Sequence, residues 1–109
     1  MAEIFVSYAR EDKEFVQLLY RALQQRKLDT WIDWEGIRPT AEWRQEIFRA
    51  IEAADSIVLI ISPHSAASKV CMEELAHASG NNKRIIPILR EDIDPSALPE
   101  FVQKRQWIS

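Results

Sequence analysis

Ser56-Ile57-Val58-Leu59-Ile60-Ile61-Ser62-Pro63 decides the fold, because its five central residues are apolar without alternation. A strand with one wet face alternates apolar and polar residues, so this one is expected to be buried on both faces at the centre of a sheet. Three more runs rich in β-branched residues, 4–6, 30–32 and 84–89, alternate with segments of helical period. That alternation predicts βαβ units and a mainly parallel sheet with helices above and below. The run 30–32 is shorter and more polar and reads as an edge strand. Pro87 forfeits a ladder hydrogen bond, which puts the run 84–89 toward an edge or at a local irregularity.

Working outward, Phe15, Leu18, Leu19, Ala22 and Leu23 form a face of 3.6-residue period, with Glu11, Lys13, Gln17, Arg21 and Gln24 outside it. Trp43, Ile47, Ala50, Ile51 and Ala54 form a second such stripe, and Thr40, after Pro39, is placed to cap its helix. Phe48 lies roughly 100° from the centre of that stripe, so its ring is expected at the edge of the core or against a neighbouring element or molecule. A third stripe, Cys71, Leu75 and Ala78, precedes Gly80, which is expected to cap the helix end. The stretch 92–109 passes through Pro95 and Pro99, with a short helical turn around 96–103, and reaches Gln106-Trp107-Ile108, which reads as the start of a fifth strand. A doubly wound sheet normally follows that strand with a helix. Residues 1–109 are therefore expected to be one domain cut from a longer multidomain protein.

Size and charge narrow the function. At 109 residues and 47% hydrophobic content the chain has material for one core. Its 17 acidic and 14 dispersed basic residues, net charge −3, leave no footprint for nucleic acid or an anionic membrane. One cysteine, Cys71, cannot form an internal disulfide, which fits a reducing, cytoplasmic setting. No apolar run approaches the ~20 residues that a bilayer requires, so no membrane contact is expected of this domain.

Several ligand classes leave spacing that this chain lacks. No glycine-rich phosphate loop is present, His64 and His77 are isolated, and Cys71 has no partner cysteine, so neither a metal nor a resident cofactor is expected. Ile61-Ser62-Pro63 stands where a phosphoacceptor domain would carry an aspartate, which disfavours receiver-type phosphotransfer. What remains lies at the carboxyl ends of strands, where open α/β sheets bind ligands. These residues are Ser7, Tyr8 and Arg10; Asp33, Trp34 and Glu35; Ser62 and His64; and, on the next helix, Cys71, Glu73 and Glu74.

They are expected to converge. Helical geometry puts Glu74 roughly 60° from the buried stripe and Glu73 roughly 160° away, making Glu74 the boundary carboxylate and Glu73 the solvated one. Plainer roles stand beside these. Glu74 can be a charge favourable to the helix dipole, Cys71 a packed core thiol, Ser7 and Ser62 local hydrogen-bonders at strand ends, and both histidines surface residues. Trp34 and Ile37, in the loop before the second helix, are either tucked beneath it or offered to a partner.

Four segments carry a resemblance: Ile4-Phe5-Val6-Ser7-Tyr8, then Thr30-Trp31-Ile32-Asp33-Trp34-Glu35-Gly36-Ile37, then Ile60-Ile61-Ser62-Pro63-His64-Ser65, and Cys71-Met72-Glu73-Glu74-Leu75. In this order and spacing the chain resembles the Toll/interleukin-1 receptor (TIR) homology domain, most closely the form found in bacterial multidomain proteins. The resemblance implies a flavodoxin-like three-layer sandwich, a five-stranded parallel sheet of order 2-1-3-4-5, with the C-terminal helix missing. It also implies a role in signalling or defence, through one of two activities. One is cleavage of NAD⁺, as substrate rather than cofactor, to nicotinamide and ADP-ribose or cyclic ADP-ribose. The other is non-enzymatic association of TIR domains.

Under the first, the resemblance makes Glu74 catalytic and Ser7, Tyr8, Arg10, Asp33, Trp34, Glu35 and Cys71 substrate-binding, with Arg10 toward the phosphates. Under either, Trp34, Glu35, Gly36, Ile37, Arg38 and Pro39 form the BB loop, through which other TIR domains are engaged as a homo-oligomer or filament on activation. Val70 stands where many members carry tryptophan. A single carboxylate suits this chemistry. An ordinary glycoside needs one carboxyl group to protonate the leaving oxygen and another to attack or activate water. Nicotinamide leaves neutral from a pyridinium, so only the positive charge growing on the ribose must be stabilised.

Overall fold

The computed structural model describes residues 3–33, 40–105 and 107–108. Four parallel strands, β1 (Ile4–Ser7), β2 (Thr30–Trp31), β3 (Ser56–Ile61) and β4 (Arg84–Leu89), lie in the order β2-β1-β3-β4. β3 sits between β1 and β4, and Ile57 through Ile61 are each no more than 4% exposed. The two-residue β2 is the edge that its polarity suggested. Of the fifth strand, the described residues hold one parallel bridge, Ile88 to Ile108. Through it Pro87 accepts from the Ile108 N–H at 2.9 Å. A residue's N–H and C=O point to the same side of a parallel strand. The donor that Pro87 lacks therefore lies on the outer side, and the β3–β4 ladder is complete across it.

Side chains alternate along a strand, and the alternation of β3 assigns the helices to faces. Val58 and Ile60 pack with Val6 and with Val16 of α1 (Lys13–Gln25). On the other face Ile57 meets Phe5, Ile47 and Ile51 of α2 (Ala41–Ala53), and Ala78 of α4 (Lys69–Gly80). Leu59 and Ile61, on that same face, meet Leu75 of α4, Leu98, and Val102 of α5 (Glu100–Gln103). A one-turn helix, α3 (Pro63–Ala66), follows β3 directly. Among the described residues no helix is long and apolar enough to cross a membrane.

α2 follows its stripe as read, with the Trp43 N–H donating to Thr40 Oγ1 at 3.2 Å. α1 does not. Val16 is fully buried, whereas Leu18 is 64% exposed and Ala22 is exposed, so the inward stripe keeps Phe15, Leu19 and Leu23 as read and adds Asp12 and Val16. Asp12, buried one turn before Val16, extends this stripe, and its carboxylate accepts the Ser62 hydroxyl.

The expected glycine cap of α4 is also corrected. Gly80 is still helical, and the left-handed residue is Asn82 (φ 56°). The Lys83 N–H then reaches Ala78 O at 3.0 Å and the Asn82 N–H reaches Ser79 O at 3.1 Å, a Schellman ending. Asparagine tolerates this conformation better than most side chains.

α2 and α4 are joined along their outer edges. Arg44 pairs with Glu73 at 3.1 Å, the Phe48 and His77 rings stack at 4.2 Å, and His77 Nε2 lies 2.7 Å from Glu52 Oε2. Glu73 is thus paired with α2 rather than freely solvated. His77 is half-buried rather than a plain surface residue, and Phe48 meets a neighbouring element.

Leu59→Ala is expected to lower the unfolding free energy in urea by about 2 to 5 kcal/mol. Leu18→Ala is expected to change it by no more than about 0.5 kcal/mol. Equal losses at the two positions would overturn the corrected α1 face.

Candidate functional site

β1 ends at Ser7, opposite Leu59 in the ladder and on the same side of the sheet as Phe5, the side that α4 covers. The start of α4 is fixed by Ser68, whose Oγ accepts from the Cys71 N–H at 3.2 Å. Counting from there, Cys71, Glu74, Leu75 and Ala78 face inward. Glu74, expected at the boundary, is only 8% exposed, and the Ser7 hydroxyl donates to its Oε1 at 2.8 Å. Among the described residues no cation pairs with Glu74 and no second hydrogen bond reaches its carboxyl.

Tyr8 donates its hydroxyl to the Asp33 carbonyl at 2.6 Å. That bond ties the end of β1 to the chain just beyond β2, at the root of the segment 34–39. Arg10, itself exposed, begins the 3₁₀ turn Arg10–Asp12. Ser7, Tyr8, Asp33, Cys71 and Glu74 thus come together, with Arg10 close enough for its charge to act on Tyr8. Trp34, Glu35, Gly36, Ile37, Arg38 and Pro39 lie outside the described residues.

Ser7 and Cys71 are about 1% exposed and lie behind the surface rather than on it. Ser62 and His64 are engaged elsewhere. Ser62 forms a capping box with Ser65 and donates to Asp12, and His64 Nδ1 lies 3.7 Å from Glu11. Asp12 was not anticipated, although its place one turn before Val16 marks it as inward-facing. Ser7 is not the local hydrogen-bonder expected of a strand end, since its partner is 67 residues away.

The electrostatics follow from burial without a counter-charge. Burial pushes Glu74 up from 4.5 to about 7, the charges of Asp33 and Glu73 add to this, and the Ser7 hydrogen bond opposes it. Burial first, then the neighbouring carboxylates Asp33 and Glu74, lift the Tyr8 phenol to about 12, against the pull of Arg10. The Cys71 thiol, raised by burial and by Glu74 to about 11, is protonated at neutral pH and is no nucleophile. No cluster among the described residues could hold a metal ion. A carboxylate in this setting can stabilise a cation, or positive charge developing on a ligand, that comes close to it.

A model of the TIR domain family matches residues 4–109. A probable 2′ cyclic ADP-D-ribose synthase, BdTIR of Brachypodium distachyon, is 35% identical over 98 residues, covering 88% of this chain and 43% of that protein. TMV resistance protein N of Nicotiana glutinosa is 30% identical over 100 residues, covering 86% of this chain and 9% of that protein. The chain spans less than half the length of these curated relatives. Among solved structures, the TIR domain of the Toll-related receptor TRR-2 from Hydra magnipapillata superposes with a TM-score of 0.82 at 23% identity, covering 99% of this chain and 83% of that one, a likeness of fold. The TIR domains of the activated Roq1 resistosome give 0.71 at 26% identity, covering 88% and 61%.

A carboxyl raised in the folded state favours the protonated native form. Its contribution to stability is complete below pH 4.5 and is lost as pH rises through about 7. The loss is on the order of 3 kcal/mol. Glu74→Gln keeps an acceptor for Ser7 and carries no charge. It is expected to melt above the parent by at least about 5 °C at pH 8, with the two curves merging below pH 4.5. Equal melting temperatures at pH 8 would show that Glu74 carries no such cost.

Proposed function

The chain belongs to the TIR domain family, and we propose that it cleaves the nicotinamide–ribose bond of NAD⁺ with Glu74 as the catalytic carboxylate. The observation that carries this reading is a carboxyl group buried at the carboxyl edge of a parallel sheet, with one hydroxyl donor and no cation beside it among the described residues. A structural glutamate at a helix end gains from the dipole while exposed to water. This one is buried in the second turn of α4, where its charge costs stability. A substrate that brings a positive charge supplies the missing partner.

NAD⁺ brings one on its pyridinium, and as the bond breaks that charge passes to the ribose. The C–N electron pair leaves with nicotinamide, which departs neutral. Glu74 stabilises the resulting oxocarbenium character, and water attacks the anomeric carbon and releases one proton, giving ADP-ribose. In the cyclic product an atom within the same molecule attacks instead. The name of the Brachypodium relative supports including this outcome. In this reading Tyr8 and Asp33 line the cleft and Arg10 faces the diphosphate. Trp34 and Glu35 complete the substrate side, and the segment 34–39 engages neighbouring TIR domains. Assembly is part of the proposal, and the resistosome relative is consistent with it.

Chromatography of NAD⁺ incubations tests the chemistry. Glu74→Ala is expected to lower nicotinamide release by at least about 100-fold, and parental activity in that variant would overturn the assignment. For the parent, kcat/KM is expected to rise with pH through about 7, as the free carboxyl ionises. The same limb in kcat should fall at lower pH, because a bound cation favours the carboxylate.

Activity is also expected to rise faster than linearly with protein concentration, and strict proportionality down to nanomolar protein would remove assembly from the mechanism. Self-association with no nicotinamide released at any concentration would favour a pure interaction module.

A further inference from the structure

Ser7 is placed unlike the other polar groups of the candidate site. It is about 1% exposed, so a ligand cannot reach it, yet its hydroxyl lies 2.8 Å from Glu74 Oε1. The strand fixes its position, since Ser7 is in register with Leu59 of the fully buried β3. Glu74, by contrast, sits at the end of two rotatable methylenes on a helix, and Ser7 is the one hydrogen-bond partner of its carboxyl among the described residues. A donor fixed to a rigid strand and bonded to one oxygen restricts rotation of the whole carboxyl group.

We propose that Ser7 is a positioning residue: it holds Glu74 by Oε1 from behind and leaves Oε2 as the oxygen presented to the substrate. This rests on the reading of Glu74 given above and changes the role of Ser7 within it, from substrate contact to support. The same hydrogen bond favours the ionised carboxylate, and this consequence can be read separately from orientation. A substrate contact and a support residue differ in what their loss does. Losing a contact made equally to substrate and transition state raises KM, whereas losing support for the reacting charge lowers kcat.

The test uses Ser7→Ala and Ser7→Thr in the full chain, with two readouts. In NAD⁺ turnover well above the acid limb, Ser7→Ala is expected to lower kcat by about tenfold with KM within about twofold, and it is expected to move the acid limb of kcat/KM upward by about one pH unit. Raising the pH should recover the part of the kcat/KM loss that comes from ionisation and leave the part that comes from orientation. Ser7→Thr, which keeps the hydroxyl, should restore both.

In the second readout, the Glu74 side-chain carboxyl is titrated by carbon NMR without substrate, and Ser7→Ala should raise its midpoint by the same amount. Unchanged kcat with a raised KM would overturn the proposal, as would an unmoved carboxyl titration. If the parent releases no nicotinamide, the function fails but the titration still decides whether Ser7 holds Glu74. Should Ser7→Ala not fold, Ser7→Cys, a weaker donor of similar size, is expected to show the same shifts in smaller measure.

Discussion

The double burial of β3 is the constraint from which the other elements take their places. A strand that is apolar at every inner position can present no polar side chain to water along its length, so both faces must be covered by helices. Its alternation divides that cover, with α1 beneath Val58 and Ile60 and with α2, α4 and α5 above Ile57, Leu59 and Ile61. Polar chemistry is then confined to the strand ends. At the carboxyl edge, β1 and β3 use the same device. Each finishes in a buried serine, Ser7 or Ser62, whose hydroxyl donates to a carboxylate from a helical segment, Glu74 or Asp12.

The two pairs nevertheless differ in surroundings. Ser62 also serves a capping box with Ser65, so the Asp12 contact belongs to a network that fixes how α1 and α3 meet β3. The Glu74 carboxyl has one donor, a raised pKa and two further carboxylates, Asp33 and Glu73, adding to the strain on its charge. Arg44, a cation on the neighbouring α2, pairs with Glu73 on the outer seam. Natural sequences break the rules of polar satisfaction mainly at functional sites. Here the departure falls on Glu74 at the carboxyl edge of the sheet, whereas Asp12 at the same edge belongs to a satisfied network.

What the sequence made legible was whatever repeats at short range. The uniform apolarity of residues 57–61, the α2 stripe with its Thr40 cap and the proline in β4 each act within a few residues, and each was readable. So was the choice of Glu74 over Glu73, which needs only 100° per residue of helical rotation. What escaped was set by partners far along the chain. Ser7 and Glu74 are 67 residues apart and Asp12 and Ser62 are 50 apart, and no local period carries such a pairing. The seam made by Glu73, His77 and Glu52 escaped for the same reason. On α1, Leu18 was assigned to the wrong side and Val16, itself apolar, was passed over, while Phe15 and Leu19 were read correctly. The cap at Asn82 was hidden differently, since Gly80 offered a stronger local signal two residues earlier.

Pro87 carries a consequence beyond the ladder that it leaves intact. Its missing donor faces outward, where Ile108 adds a single bridge. An exposed sheet edge is a template on which foreign extended chains can stack, and proline on the open side is one of the ways proteins blunt it. A gap in the donor row of β4 therefore blunts that side of the strand as a template for a foreign extended chain, at no cost to the ladder with β3.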